Sequence, residues 1–595
     1  MLAPKDTPSR ERTSLDGLWR CVLDPDGVGR LDRWWERLLD RAVEMPVPSS
    51  YNDILPDPAW HDHVGDVWYE TTFRVPTGWA GRRVAIRFGS ATHNAEVWVN
   101  GRAITTHEGG YTPFDADVTD LAVPGEESRV TVAVSNVLSW QSIPPGYVED
   151  TLSGRRQRFF HDFFNYAGLH RRVWLVATPV ARVEDITVRT EIDGPDATVS
   201  YRVELAGEGA ERLAVRVHLA DATGGEVARS SGTQGVLQVP DARLWQPGAG
   251  YLYQLTAELA DGDTLVDSYP LAVGIRTVEV DETRFLINGL PFYFRGFGRH
   301  EDAPIRGKGH DDVLMVHDFA LMEWVGANSF RTSHYPYAEE VLDYADRRGM
   351  VVIGETPAVG LNMGLGGGIF GAHGFTTFSD ATVNATTQAA HGRAITEMIA
   401  RDKNHPCVVA WSIANEPESD TRESRTYFEP LVELTRSLDP TRPVCFANVM
   451  LAPPDKDVIS DMFDVLLLNR YYGWYVDTGD LAAAEVHLEA ELRAWAAKHR
   501  KPIIVTEYGA DAIAGLHDTV PAPWSEEYQA ALLDMSHRVF DRVDGVVGEH
   551  VWHFADFATS SGIMRVGGNK KGVFTRDRQP KAAVADLRRR WRAAP

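Results

Sequence analysis

The sequence is poor in cysteine: Cys21, Cys407 and Cys445 are the only three in 595 residues. That count excludes a disulfide framework. With no Cys-x-x-Cys pair and no Cys/His cluster, there is no zinc-binding pattern either. Cys407 and Cys445 lie in apolar runs and read as buried, inert thiols. Long apolar runs are also missing: none reaches the roughly 18 residues that a membrane helix needs. The opening MLAPKDTPSRERTSLDG lacks the apolar stretch of a secretory leader. Taken as a complete chain, the sequence is expected to be a soluble cytoplasmic protein with no membrane partner. Positive charge is in short supply. Sixty Lys+Arg against 84 Asp+Glu leave −24, so the molecule repels polyanions and general nucleic-acid binding is excluded. A small anionic substrate would need a local basic site that overcomes the global field. No solenoid period is visible. No Gly-x-Gly-x-x-Gly turn follows an early strand, as an open dinucleotide-binding sheet would require. Gly364-Leu-Gly-Gly-Gly368 has neither that spacing nor a following helix, and reads as a flexible βα loop.

What is present is ordinary globular material, with 44% hydrophobic and 24% charged residues. At about 150 residues per domain the length suggests roughly four domains, or fewer if one is a large α/β barrel. The texture changes twice. Up to about residue 180, period-2 runs such as Val67-Trp-Tyr-Glu-Thr-Thr-Phe-Arg-Val75 and Ala95-Glu-Val-Trp-Val99 recur. The second runs into Asn100-Gly101, a strong hairpin signal. This predicts an antiparallel β-sandwich over 1–180. Shorter runs over 181–275 fit an immunoglobulin-like β-sandwich. From 276 to 595 the rhythm is strand then helix. Val351-Val-Ile353, Val408-Val-Ala-Trp-Ser-Ile413, Val465-Leu-Leu-Leu468, Ile503-Ile-Val505 and Val546-Val547 are continuous apolar runs, as buried parallel strands are. Helical stretches are expected at 312–325, 338–348, 388–401, 481–498 and 525–543. These are among about eight such units in about 320 residues, which predicts a (β/α)8 TIM barrel. The 17 Trp, 19 Tyr and 23 Phe read first as core, and more sharply as rings for stacking on sugars.

A barrel gathers its chemistry at the C-terminal ends of its strands. There the sequence offers Asn415-Glu416-Pro417, Thr506-Glu507-Tyr508, Asn469-Arg470-Tyr471-Tyr472, and Thr332-Ser333-His334. The last run, Val546-Val547, continues to Glu549 and Trp552. Two isolated carboxylates on different strands suit glycoside cleavage, one as general acid and one as nucleophile, with about 5–5.5 Å between them for retention. Each residue also has a structural reading. A strand-end Glu can be an ion-pair partner, Asn415 a turn former and Tyr471 a core tyrosine. His300 and His334 can be satisfied structural histidines.

The motifs Trp411-Ser-Ile-Ala-Asn-Glu-Pro417, Thr506-Glu-Tyr-Gly509, Asn469-Arg-Tyr-Tyr-Gly-Trp-Tyr475 and Arg331-Thr-Ser-His-Tyr-Pro336 resemble glycoside hydrolase family 2. With Phe160-His-Asp-Phe-Phe-Asn-Tyr-Ala-Gly-Leu-His170 and Gly567-Gly-Asn-Lys-Lys-Gly-Val-Phe-Thr-Arg576, they resemble more narrowly its bacterial β-glucuronidases. The resemblance runs along essentially the whole chain. It implies a jelly roll, an immunoglobulin-like sandwich and a barrel. It also implies a small-molecule glucuronide as substrate, no metal or organic cofactor, and a homo-oligomer, tetramer or dimer. By position it makes Glu416 the acid/base and Glu507 the nucleophile, and it puts Asn415 at the sugar 2-hydroxyl. It gives Asn569 and Lys571 the C6 carboxylate, and lines the sugar pocket with Asp162, His334, Asn469, Tyr471 and Trp552. Arg565 and Arg576 either assist the carboxylate or are solvated charges. A neutral sugar is expected to leave buried Lys571 unpaired, which disfavours it. A β-galacturonidase or mixed uronidase on the same scaffold is the nearest alternative. A non-catalytic carbohydrate-binding protein is a more distant one. The chain departs from the family pattern at His553, where asparagine is expected after Trp552, and in the glycine-rich loop 361–375. Ser379-Asp380 reads as a helix N-cap.

Overall fold

Period-2 patterning builds the first 180 residues of the computed structural model, which describes residues 1–152, 154–365 and 374–593. A four-stranded antiparallel sheet packs against a six-stranded one. Their facing side chains form one core that includes Trp19, Val67, Phe88, Val97, Val132 and Leu175. In the strand Glu127–Ser135, Val130, Val132 and Val134 face that core. Ala133 between them is also buried, because Trp68, Trp98 and Leu39 form a second cluster with Trp34 and Trp35 packed against it. The predicted hairpin joins Asn94–Val99 to Arg102–Glu108. Asn100 (φ 50°) and Gly101 (φ 81°) both take the left-handed conformation that a tight hairpin turn demands. The next unit is a sandwich of three and four antiparallel strands between Arg182 and Val273, with its own core around Val199, Val217, Leu255 and Leu259.

The C-terminal unit is a closed parallel barrel. Its strands are β1 (Phe294–Arg299), β2 (Ser329–Thr332), β3 (Val351–Glu355), β4 (Val408–Asn415), β5 (Val444–Asn448), β6 (Leu466–Asn469), β7 (Ile503–Glu507) and β8 (Val546–Val551), and β8 pairs back onto β1. Strands β2 to β7 are buried along their whole length, since helices cover the outside and side chains fill the inside. The helices are α1 (Asp312–Val325), α2 (Glu339–Arg348), α3 (Ala385–Asp402), α4 (Arg422–Leu438), α5 (Leu481–His499), α6 (Glu526–Phe540) and α7 (Ala583–Ala593). The multidomain β, β and (β/α)8 architecture is the expected one. Details differ. Helix α4 was not expected; it carries Pro430 in its interior, which breaks the sequence pattern. Between β5 and β6 the described residues hold only a 3₁₀ turn, Ser460–Met462, behind a stretch containing Pro453 and Pro454. The N-cap of α3 is Asn384, whose side chain accepts from the N–H groups of Thr386 and Thr387. Ser379-Asp380 lies upstream and caps nothing there.

Candidate active site

Five strand ends and two loops bring the polar residues around one recess. Strand β4 ends in Asn415, and Glu416 follows at φ 49°. That is the left-handed region, uncommon for a residue with a Cβ. Strand β7 ends in Glu507 and β6 in Asn469, and the two are register partners in the sheet. His334 follows β2, and Trp552 follows β8. The jelly roll reaches across with Phe160-His-Asp-Phe163. Asp162, His334, Asn415, Glu416, Glu507 and Trp552 line a single recess of about 70 Å³. Gly360 forms part of its wall. A Cβ there would stand 3.1 Å from Phe160, and its φ is +81°, so both space and backbone demand glycine.

Glu507 sits in a nest of donors. Tyr471 donates its hydroxyl to Oε2 at 2.6 Å, and Arg331 donates from Nη2 to Oε1. The same guanidinium donates from Nη1 to both oxygens of Glu355 at 2.9 and 2.8 Å. Glu355 also accepts from Ser412 Oγ at 2.7 Å and from His334 Nδ1 at 2.8 Å. A carboxylate only accepts, so His334 Nδ1 carries the proton and Nε2 keeps a lone pair. Burial holds that imidazole near pKa 4, against the pull of Glu355; it is neutral and can accept from a sugar hydroxyl. Its ring lies 5.0 Å from Trp552 at 19°, nearly parallel.

Glu416 is less well supplied. Among the described residues its carboxyl has one donor, Asn469 Nδ2 at 3.1 Å. Thr506 donates to Asn469 Oδ1 at 2.9 Å and so fixes the direction of that amide. Asn415 Oδ1 accepts from Asn469 and from Arg331, at 3.1 and 3.2 Å. Its amide nitrogen is left with hydrogens to donate. Burial raises both Glu416 and Glu507, and the nearby charge of Glu416 adds to the rise at Glu507. Two acids so placed share a proton rather than both ionising. The donors decide where it sits. Burial pushes Glu507 up to about 8, but a guanidinium and a phenol donate to its ionised form, whereas Glu416 has one neutral amide, and these donors favour the proton on Glu416.

The amide and ammonium expected to hold a C6 carboxylate are present, but they are not free. Lys571 is 1% exposed and donates to Asp511 Oδ2 at 2.5 Å and to Tyr475 Oη at 2.9 Å. Asn569 Nδ2 donates to Asp162 Oδ2 at 2.9 Å. Arg565 makes a two-pronged pair with Asp162, at 2.8 and 2.5 Å. The expectation that a neutral sugar leaves Lys571 unpaired is therefore overturned: Asp511 already neutralises it. Asp162 stands on the rim, its side chain 49% exposed, tied to these two groups.

Other candidates lie elsewhere. Arg576 pairs with Asp302 and donates to Tyr166, away from the clamp. Tyr472 donates to Glu491, the partner of Arg470. His300 contacts Tyr335 and packs beside His553. His553 donates from Nδ1 to Ala555 O at 2.6 Å, and its ring packs on Phe557; burial keeps it neutral. Residues 366–373 of the glycine-rich loop lie outside the described residues. A much larger cavity, about 1280 Å³, is lined by Tyr293, Glu549, Arg590 and Trp591. No paired strand-end carboxylates open into it, so the chemistry, not the volume, marks the site. Asp346, His405 and Cys407 bring ligand atoms within 4.8 Å of one another ahead of β4. Burial lowers His405, but Asp346 together with Asp343 and Asp402 more than offsets it and holds the imidazole up at about 9, and an imidazolium offers a metal no lone pair. Arg331 and Tyr475 stood at the ends of motifs with no role of their own, and Glu355 and Asp511 escaped the sequence reading. Glu355 ends the run Val351-Val-Ile-Gly-Glu355 and carried the same strand-end signal as Glu507. Asp511 carried none.

Models of the glycosyl hydrolase family 2 match nearly the whole chain. The sugar binding domain matches residues 12–179, the central family 2 domain 181–276, and the TIM barrel domain 278–594. A β-glucuronidase of Paenibacillus borealis is 52% identical, covering 99% of this chain and 98% of its own. The human β-glucuronidase is 44% identical, with 100% and 93% covered. Among solved structures, a β-glucuronidase of an uncultured Clostridium species superposes with TM-score 0.94 at 47% identity, covering 100% of both chains. The Ruminococcus gnavus β-glucuronidase in complex with uronic isofagomine gives 0.95 at 43%, covering 99% of each.

Proposed function

The chain belongs to glycosyl hydrolase family 2, and from that membership we propose that it hydrolyses β-D-glucuronides with retention, releasing glucuronic acid and an aglycone. One observation carries the reading: Glu416 and Glu507, which follow and end different strands, open into one recess, and Asp162 on its rim is bound by the Asn569 amide. Glu416 begins protonated and gives its proton to the leaving oxygen. Ionised Glu507 attacks the anomeric carbon, and the C–O bond to the aglycone breaks as the glycosyl ester forms. Glu416, now a carboxylate, takes a proton from water. That water attacks the same carbon and frees Glu507. Asn415, His334, Asn469 and Trp552 orient the sugar, and Tyr471 keeps Glu507 ionised. Asn569 and Lys571 receive the C6 carboxylate, with Asp162 giving up its hold on Asn569.

Relatives named β-glucuronidase that are 52% identical over their full length support the substrate class. The proposal also takes the boundaries 1–180, 181–275 and 276–595, a dimeric or tetrameric assembly and a cytoplasmic location. The three cysteines are free and buried, which suits a reducing compartment, and no described helix is long and apolar enough to cross a membrane. The test is a panel of nitrophenyl β-glycosides. We expect glucuronide turnover about 100-fold above glucoside and galactoside, which lack the carboxylate, as a charged hydrogen-bonded contact gives. Galacturonide, which keeps the carboxylate, should be turned over more slowly only through its axial 4-hydroxyl, and the β-anomer of glucuronic acid should appear first by NMR. Equal rates on glucuronide and glucoside would sink the substrate reading. A first-formed α-anomer would sink retention.

A further inference from the structure

The carboxylate clamp contains an acid that the reaction does not use. Asp511, four residues beyond the end of β7, is fully buried. Its Oδ2 takes the Lys571 ammonium at 2.5 Å, and its Oδ1 accepts the Lys570 N–H at 2.7 Å. Both oxygens are thus spent on one loop, the loop that carries the clamp. Lys571 faces few other groups. Tyr475 Oη accepts its second hydrogen bond at 2.9 Å. The rings of Tyr471, Trp474 and Tyr475 lie 5.5, 5.4 and 4.8 Å from Nζ. The second cation, Arg565, stands 3.8 Å from Asp511 and repels Lys571. Among the described residues around the ammonium, Asp511 alone carries the opposite charge in contact with it.

An ammonium so enclosed would shed its proton or turn away if nothing balanced it. Resting on the glucuronide reading above, we propose that Asp511 is a positioning residue for the sugar carboxylate: it holds Lys571 charged and in place, and it acts on the substrate only through that ammonium. Burial works to lower the Lys571 pKa, and Tyr475 with Asp511 reverses the direction, so the lysine ends above its ordinary value. When a glucuronide enters, its carboxylate shares Lys571 with Asp511 rather than capturing a bare cation. The clamp therefore discriminates by placement of a charge that is already balanced. A neutral C6 group gains nothing from Lys571 but does not strand it.

A double-mutant cycle on the full chain tests this, with nitrophenyl β-D-glucuronide as substrate. Asp511→Asn is expected to raise KM about tenfold or more with kcat within about threefold, the size of one lost charged contact. Added to Lys571→Met, the same change should alter kcat/KM less than about twofold. Asp511→Glu, which keeps the charge, should recover part of the loss. In Asp511→Asn, KM should climb between about pH 6 and 8 as the unsupported ammonium deprotonates, while the unaltered protein stays flat there. An equal cost in both backgrounds would make Asp511 merely structural, and an unchanged KM would remove it from substrate recognition; either overturns the proposal. A failure of the glucuronide preference itself is read separately, from the glycoside panel on the unaltered protein.

Discussion

Glu507 and Glu549 occupy neighbouring strands, β7 and β8, and both are buried, yet they have opposite fates. Glu549 lies inside its strand. It accepts from Arg590 twice at 2.8 Å, from Tyr293 at 2.9 Å and from Trp591 at 2.5 Å. Burial alone would raise its pKa; His537 and Arg590 more than offset it and hold the carboxyl low. Glu507 ends its strand and faces a recess it shares with another acid, and its carboxyl is pushed up. Glu355 repeats the Glu549 pattern on β3, saturated by Arg331, His334 and Ser412, and is also held low. A buried glutamate whose acceptor sites are all taken is structural. One that keeps room for a reacting atom is chemical.

The largest effect that would break this contrast is on turnover. Glu507→Ala should cut kcat on the order of 10⁴-fold while cooperative thermal unfolding persists; substantial residual release of nitrophenol would take the nucleophile role from it. The mirror experiment is Glu549→Gln. Removing the charge facing Arg590 should destabilise the fold by about 2–4 kcal/mol in urea unfolding. Turnover at a permissive temperature should change less than about twofold; a large kinetic loss with unchanged stability would erase the distinction.

The pH profile sharpens it further. With Glu507 as the proposed nucleophile, ionised, rate is expected to fall as pH drops through the dyad's first ionisation. With Glu416 as the proposed acid, protonated, rate is expected to fall as pH rises through the second. Burial raises both groups, which places both limbs above the ordinary carboxylate range. Glu416→Gln should remove the alkaline limb of kcat/KM; a limb that survives belongs to another group. The smallest effect is at Tyr471→Phe. It deletes the 2.6 Å donor to Glu507, should cost about tenfold in kcat, and should move the acid limb upward. An unmoved limb would show that Arg331 alone keeps Glu507 ionised.

Legibility followed burial. Runs such as Val408-Val-Ala-Trp-Ser-Ile413 announced barrel strands because both faces of a parallel sheet are covered. Strand β1, Phe-Arg-Gly-Phe-Gly-Arg, is broken by glycine and arginine and gave no such signal. Glu416 and Glu507 could be read as strand-end acids. Glu549 was read with them, although its four donor contacts come from Tyr293, Arg590 and Trp591, far off in the chain. The state of Lys571 was misjudged for the same reason, since its partner Asp511 is 60 residues earlier.

By itself the sequence determined what depends on neighbours along the chain. The two periodicities, the hairpin at Asn100-Gly101 and the acids that close apolar runs are all local consequences of side-chain direction in strands and helices. The tertiary structure alone decided which acids are satisfied and which are left to react. Arg331 reaches Glu507 across 176 residues and Asn569 meets Asp162 across 407. Proton affinity in a buried site is set by such contacts, because a low-dielectric interior magnifies every charge brought near.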